Sequence, residues 1–234
     1  MPLPKLVVPE YTCTLPISGR KVKYRPFLVK EEKLLYLAME SQKESEMVNA
    51  VKTIIKNCTD IKKDIDKLPT FEIEYIFLRI RAKAVGEVSE FVVTCPDDNE
   101  TTVEVRLPLE QISVVVDPDH SNMIDLDGNI KMEMKYPSLD VFIDQNMKDN
   151  PDIEDMFKLA ASCIDKVYDA EEIYESFTQK EALDFLGELN SEQFQQVQKF
   201  FDTIPKLKHD LVVTNPKTKV ESTIPLEGLA AFFG

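Results

Sequence analysis

The chain has 234 residues, 43% of them hydrophobic and 30% charged, and its 42 acidic against 28 basic side chains give a formal charge of -14. That length buries a sizeable core as one large or two small domains, while the charge repels phosphate and, with no basic stripe interleaved with aromatics, argues against direct nucleic-acid binding. No apolar run reaches the roughly 18 to 20 residues a membrane helix needs, and the N-terminus lacks a signal-peptide pattern, so a cytosolic protein without membrane insertion is expected.

The opening MPLPKLVVPE carries three prolines in ten residues, which forbids a helix and predicts an extended arm. Leu3, Leu6, Val7 and Val8 are costly to leave wet, so the arm either lies on its own domain or adds as a strand to a neighbouring subunit. Residues 11–28 alternate about Ser18-Gly19, a hairpin signature, and close on Pro26. Leu34, Leu37 and Ala38, then Met47, Val48, Val51, Ile54, Ile55 and Cys58, follow a helical period broken by the polar QKESE. Two short helices, or one bent near Ser41 to Ser45, are expected. Pro69-Thr70 opens the next helix, with Glu72 and Glu74 in its first turn and Arg79, Arg81 and Lys83 toward its end, before Gly86, which suits a left-handed cap. Phe71, Ile73, Ile76, Phe77, Leu78 and Ile80 make it apolar nearly all round, the pattern of a central helix.

Residues 91–112, FVVTCPDDNETTVEVRLPLEQI, read as a β-hairpin with a Pro-centred turn feeding a helical turn. Two more β runs follow, the second turning on Asp127-Gly128 as a two-residue turn and ending at Pro137. A helix signature in Leu139, Val141, Phe142 and Ile143 precedes a helix opened by Asn150-Pro151-Asp152. Thr178 and Glu181 form a capping box for the next helix, and Phe194, Val197, Phe200, Phe201 and Ile204 mark another up to Pro205. A second hairpin and the apolar LEGLAAFFG complete the chain; this tip is either a short helix docked on its own core or a knob for a partner.

The second hairpin, LVVTNPKTKVESTIPLEGL at residues 211–229, repeats the first: Val92/Val212, Thr94/Thr214, Pro96/Pro216, Glu104/Glu221 and Pro108/Pro225 coincide when its turn is shortened by three residues. Pro26 and Pro137, Cys58 and Cys163, and Asp60 and Asp165 recur at similar offsets, which suggests an internal duplication. The expected architecture is α+β, with antiparallel hairpins flanking a mostly helical body. It divides into an N-terminal hairpin-helix-hairpin half, 1–117, and a pseudo-equivalent C-terminal half, 118–234.

Chemistry is sparsely supplied. His120 and His209, the only histidines, each stand beside an aspartate in a loop-like context and read as solvated rather than catalytic. No nucleophile elbow, phosphate loop or H-E-x-x-H is present. Cys95-Pro96-Asp97-Asp98 sits where a zinc ribbon places its ligand knuckle, yet Asp98 holds the second ligand position and Asn215 the matching position of the other hairpin. A ribbon-like element that holds its shape without metal is the reading of those residues, with a degenerate zinc-ribbon-like module as the alternative. Asp125, Asp127 and Gly128 faintly resemble a calcium loop, but Met123 and Met134 fall on required ligand positions and a plain turn explains them better. A hydrolase using an acidic cleft at Asp117, Asp119 and His120 is a further alternative. The four cysteines, Cys13, Cys58, Cys95 and Cys163, include no C-x-x-C pair and read as reduced thiols, mostly buried. No catalytic, cofactor-binding or metal residue is assigned, and no cofactor is expected. Candidate partner contacts are Leu3, Leu6 and Val7 in the arm, Asp97 and Lys217 at the hairpin tips, and Phe232 and Phe233 at the end.

LPKLVVPEYTCTLPISGRKVKYRPFLVKEEKLLYLAMES, then IIKNC, then DKLPTFEIEYIFLRIRAKAVGE, and finally LEGLAAFF occur in an order that resembles the baseplate hub assembly proteins of T-even-type tailed phages. The resemblance is densest over residues 2–98. It implies a non-enzymatic viral protein of the contractile-tail baseplate, which recognises other hub proteins either as a structural subunit or as a transient assembly chaperone. The same resemblance implies work in the host cytoplasm during assembly, or residence in the virion tail. Oligomeric state and hub partner are left open.

Overall fold

The computed structural model describes residues 6–61, 64–138 and 152–228. It is an α+β protein whose strands form small antiparallel sheets between helices. The chain forms two compact units, one built from residues 1–65, 71–115 and 206–234 and the other from 66–70 and 116–205. The chain leaves the first unit after Val115 and returns to it at Lys206 with the second hairpin.

In the first unit, β1 (Tyr11–Thr14) pairs with β2 (Lys21–Tyr24), and two helices follow, α1 (Val29–Ser41) and α2 (Glu44–Cys58). They are separate helices because Gln42 turns left-handed at φ 55° and its N–H bonds back to the Met39 carbonyl. α3 (Thr70–Ala84) buries Phe71, Ile73, Ile76, Phe77, Leu78, Ile80 and Ala82. Each large apolar side chain so buried contributes about 1.5–3 kcal/mol, which is why this helix sits inside. Gly86 takes φ 152°, outside the left-handed helical well, so α3 ends without the glycine cap its sequence suggests. β3 (Val88–Thr94) pairs with β4 (Thr102–Pro108), and β5 (Ser113–Val115) with β10 (Lys206–Thr214), which also pairs with β11 (Glu221–Glu227). Alternation sends Val105 and Leu107 of one hairpin, and Leu211, Val213 and Leu226 of the other, into one cluster with Leu78 and Ala82 of α3.

In the second unit, β6 (Met123–Asp125), β7 (Lys131–Met134), β8 (Ile164–Tyr168) and β9 (Ile173–Tyr174) form an antiparallel sheet in that order. The turn before β7 is a wider loop than the expected two-residue turn. Leu126 N–H bonds to the Ile130 carbonyl, while the carboxylates of Asp125 and Asp127 accept the backbone N–H groups of Gly128, Asn129 and Ile130. Helices α4 (Ile153–Cys163), α5 (Gln179–Gly187) and α6 (Ser191–Asp202) start on reciprocal capping boxes at Asp152/Asp155, Thr178/Glu181 and Asn190/Gln193. Ala160, Ala161, Ala182, Leu186, Val197 and Phe200 bury one face of these helices with Met132 and Ile164 of the sheet. The helix signature at Leu139 to Ile143 lies outside the described residues.

Candidate functional site: the clasped hairpin tips

The turn that joins β3 to β4 has the same construction as two others. Thr14-Leu15-Pro16, Thr94-Cys95-Pro96 and Thr214-Asn215-Pro216 each open a turn in which the middle residue is 1% exposed. In each, that residue's N–H and carbonyl are both used: Leu15 bonds to Arg20 and Gly19, Cys95 to Thr101 and Asn99, and Asn215 to Val220 and Lys219, all at 2.7–3.1 Å. Three residues after each proline the backbone turns left-handed, at Gly19 (φ 65°), Asn99 (φ 55°) and Lys219 (φ 65°). Glycine and asparagine take this conformation readily, and lysine is held there by the bonds around it. The T-x-P signal stands in the sequence at all three turns, but the first has Thr12-Cys13 where the other two have Val-Val before the threonine, so the plain repeat joins only those two.

The second and third turns are bound to each other. Asn215 Nδ2 donates to Asp97 Oδ1 at 3.0 Å, Asp97 Oδ2 at 3.1 Å and Asp98 Oδ2 at 3.0 Å, and Thr218 Oγ1 donates to Asp97 Oδ2 at 2.5 Å. An amide has two hydrogens, so one of them is shared between two acceptors. Asp98 also anchors its own turn, accepting the Glu100 and Thr101 N–H groups on Oδ1 and the Thr101 hydroxyl on Oδ2. Asn215 does the same with its Oδ1, which accepts from the Lys217 and Thr218 N–H groups.

These bonds fix the charges. The hydroxyl of Thr218 and the amide of Asn215 hold the Asp97 carboxyl below its usual range, and the Thr101 hydroxyl, the Thr101 and Glu100 N–H groups and Asn215 hold Asp98 lower still. Burial, with Asp97 and Asp98 nearby, raises the Cys95 thiol, so it stays protonated and is a poor nucleophile or metal ligand. Cys95 and Asp98 in one turn, and Asn215 and Thr218 in the other, are each three residues apart, and Asn215 and Thr218 are hydrogen-bonded to Asp97 and Asp98 across the two turns. Among the described residues, no three His, Cys, Asp or Glu side chains converge as a metal site.

The other candidate residues are placed as follows. Asp97 spends its carboxylate in the clasp, while the Lys217 side chain is exposed. Leu6 is 90% and Val7 96% exposed. Leu3, Phe232 and Phe233 lie outside the described residues. His120 is not a solvated loop histidine: its Nδ1 meets Thr203 Oγ1 at 2.9 Å, its Nε2 meets Tyr136 Oη at 3.0 Å, and its ring packs on Tyr136 and Phe200. Tertiary packing across 83 residues of sequence, invisible to local pattern, draws it in, and burial lowers its pKa. Both ring nitrogens of His120 are engaged, and Asp117 Oδ1 accepts the Asp119 N–H. His209 lies in β10 opposite Leu226, in a strand rather than a loop. Cys13, Cys58 and Cys163 are free thiols whose pKa burial raises to about 11.

The repeat thus builds an architectural site, two hairpins of an α+β protein fastened tip to tip by their own polar side chains. No helix of the described residues is long and apolar enough to cross a membrane. The family model for T4 bacteriophage base plate protein matches residues 8–234, and the chain belongs to that family. It is a structural protein of a T4-type phage baseplate. No curated protein and no solved structure matches the chain.

Proposed function

We propose that this chain is a non-enzymatic protein-recognition component in assembly of the central hub of the contractile-tail baseplate, acting in the host cytoplasm as structural subunit or chaperone. The match to the baseplate family over residues 8–234 carries the reading, and the order of motifs that resembles hub assembly proteins narrows it. The exposed side chains of Leu6 and Val7 support the arm as a contact. Leu3, Asp97, Lys217, Phe232 and Phe233 complete the proposed contacts. Mass spectrometry of purified mature particles beside a pulldown of the tagged chain from infected cells tests the proposal. Stoichiometric presence in particles identifies a subunit; absence from particles with hub proteins in the pulldown identifies a chaperone; absence from both removes the hub.

The two halves, 1–117 and 118–234, are on this proposal copies of one ancestor. An internal correspondence supports it: Arg25 N–H bonds to the Cys58 carbonyl in the first unit, and Lys135 N–H to the Cys163 carbonyl in the second. In both units the strand entering the helices thus pairs with the chain leaving them at cysteine.

A second reading concerns the tips. Their spacing and left-handed residues are those of a zinc-ribbon knuckle pair, which favours a degenerate ribbon in which side-chain bonds have replaced the ion. Introducing Asp98→Cys, Asn215→Cys and Thr218→Cys beside Cys95 is expected to create a stoichiometric zinc site, measured by elemental analysis. Failure to bind removes the ribbon ancestry, and stoichiometric zinc in the natural protein would instead support a working metal module.

A further inference from the structure

The second unit contains a cavity of about 260 Å³ between β8, β9 and α5. Its walls include Val167, Tyr174, Phe177 and Phe185, and its charged lining residues are Asp169 and Glu181. Small-molecule and cofactor sites run from about 300 to 1,000 Å³, whereas an apolar cavity of about 150 Å³ already admits a benzene ring. The size therefore suits one large apolar side chain better than a metabolite.

The surroundings specify what flanks that side chain. Asp169 accepts the N–H groups of Glu171 and Glu172 and the hydroxyl of Tyr174, and these bonds hold it below the usual carboxylate range. Glu181 is lowered in the same way by the backbone and hydroxyl of Thr178. Both are thus ionised at neutral pH beside an apolar space. Glu171, Glu172 and Glu175 are exposed on either side of β9, and Lys166 is committed to Glu175 at 3.3 Å. Among the described strands β9 is the edge of its sheet, and Tyr174, opposite Val167 in register, lines the cavity with it. An edge strand beside an apolar hole is the arrangement that receives an added strand, main chain on the edge and one side chain in the hole.

We propose that this face docks an extended segment of a partner protein that carries one large apolar residue flanked by Lys or Arg. It rests on the reading of the chain as a protein-recognition component and names the chemistry of one partner. The apolar residue fills the cavity, the flanking cations meet Asp169, Glu181 and the Glu171-Glu172 turn, and the main chain extends the sheet at β9.

Titration of the isotope-labelled full chain with the synthetic peptide Gly-Lys-Val-Phe-Val-Arg-Gly tests this, read by amide shifts at Val167, Tyr174 and Ala182. Saturable shifts at those residues are expected, at least tenfold weaker for the peptide with Glu in place of Lys and Arg, and tenfold weaker with Ala in place of Phe. Glu171→Lys should weaken binding at least threefold with folding unchanged, since Glu171 is exposed and its backbone N–H, which the substitution keeps, is what bonds to Asp169. Ala182→Leu should fill the cavity and abolish binding; if it unfolds the chain, Tyr174→Ala, at an exposed position, replaces it and should weaken binding at least fivefold. No shift at millimolar peptide, or equal binding by the Glu-flanked peptide, overturns the proposal. So does tighter binding by a peptide of residues 2–9 of this chain, which would make the face a contact between copies. Particle content plays no part in these readouts, so the docking face and the hub assignment fail separately.

Discussion

Asn215 is the residue on which the clasp turns. It is buried, and its amide bonds at once to its own turn and to the two carboxylates of the other. Asn215→Ala removes the donor to the Asp97 and Asp98 carboxylates and the acceptor for the Lys217 and Thr218 N–H groups in a single change. We expect a lowered thermal midpoint, with Asn215→Asp lower still because it places a third carboxylate against Asp97 and Asp98. Thermal unfolding followed by circular dichroism checks both. The titrating groups predict a pH dependence in two steps. His120 has a lowered folded pKa, so below its ordinary 6.5 the unfolded chain takes up a proton that the folded chain refuses; stability is full above 6.5 and falls until pH reaches the folded value. Asp97 and Asp98 are lowered carboxyls, whose stabilisation is full above their ordinary 3.8 and is lost as pH falls through their folded values. Midpoints measured from pH 8 to 3 should therefore decline twice, and His120→Gln should remove the upper decline while keeping the lower. The knuckle positions were legible in the residues Cys95 and Asn215, because a proline after a buried turn residue is a local pattern. Their bonding was not, since Asn215 and Asp97 are 118 residues apart and no periodicity reports a contact at that range.

At the scale of elements, local chemistry was a good guide wherever a single turn decides the outcome. The Thr178/Glu181 box starts α5 as its spacing says, and the polar break after Ser41 does separate two helices. Gly86 and the Asp127-Gly128 turn misled because a glycine permits several conformations and its neighbours choose among them. Two glycines make the point measurable. Gly19 has open space around a built Cβ but a φ of 65°, so Gly19→Ala should cost about 1–2 kcal/mol through backbone strain alone. Gly187 also has open space and ends α5 without that constraint, so Gly187→Ala should stabilise by less than the roughly 1 kcal/mol of a helix interior. Urea midpoints moving in opposite directions, with unchanged slopes, check the pair.

The molecule as a whole divides where sequence order does not. The first unit needs β10 and β11, whose Leu207, Leu211, Val213 and Leu226 share a cluster with α3, β4 and Ile112. Each such side chain is worth about 1.5–3 kcal/mol when buried, so together they rival the 5–15 kcal/mol of a typical domain. Truncation after Pro205 should leave residues 71–115 open to limited proteolysis, a result checked by mapping the cleavage sites. The sequence repeat disclosed that the two hairpins are alike. That likeness does not reveal that they are packed together, because resemblance between segments carries no information about their distance.

The interruption of the first unit by residues 116–205 also sets a timetable for synthesis. A ribosome working at about 5–20 residues per second completes β5 and then needs roughly 5–20 seconds before Lys206 appears. During that interval the inner faces of α3 and β4 have no β10 or β11 to cover them, and the carboxylates of Asp97 and Asp98 have no Asn215. The knot between the tips is therefore tied only after the second unit has been made, and a nascent chain stalled inside that unit cannot present a finished first one.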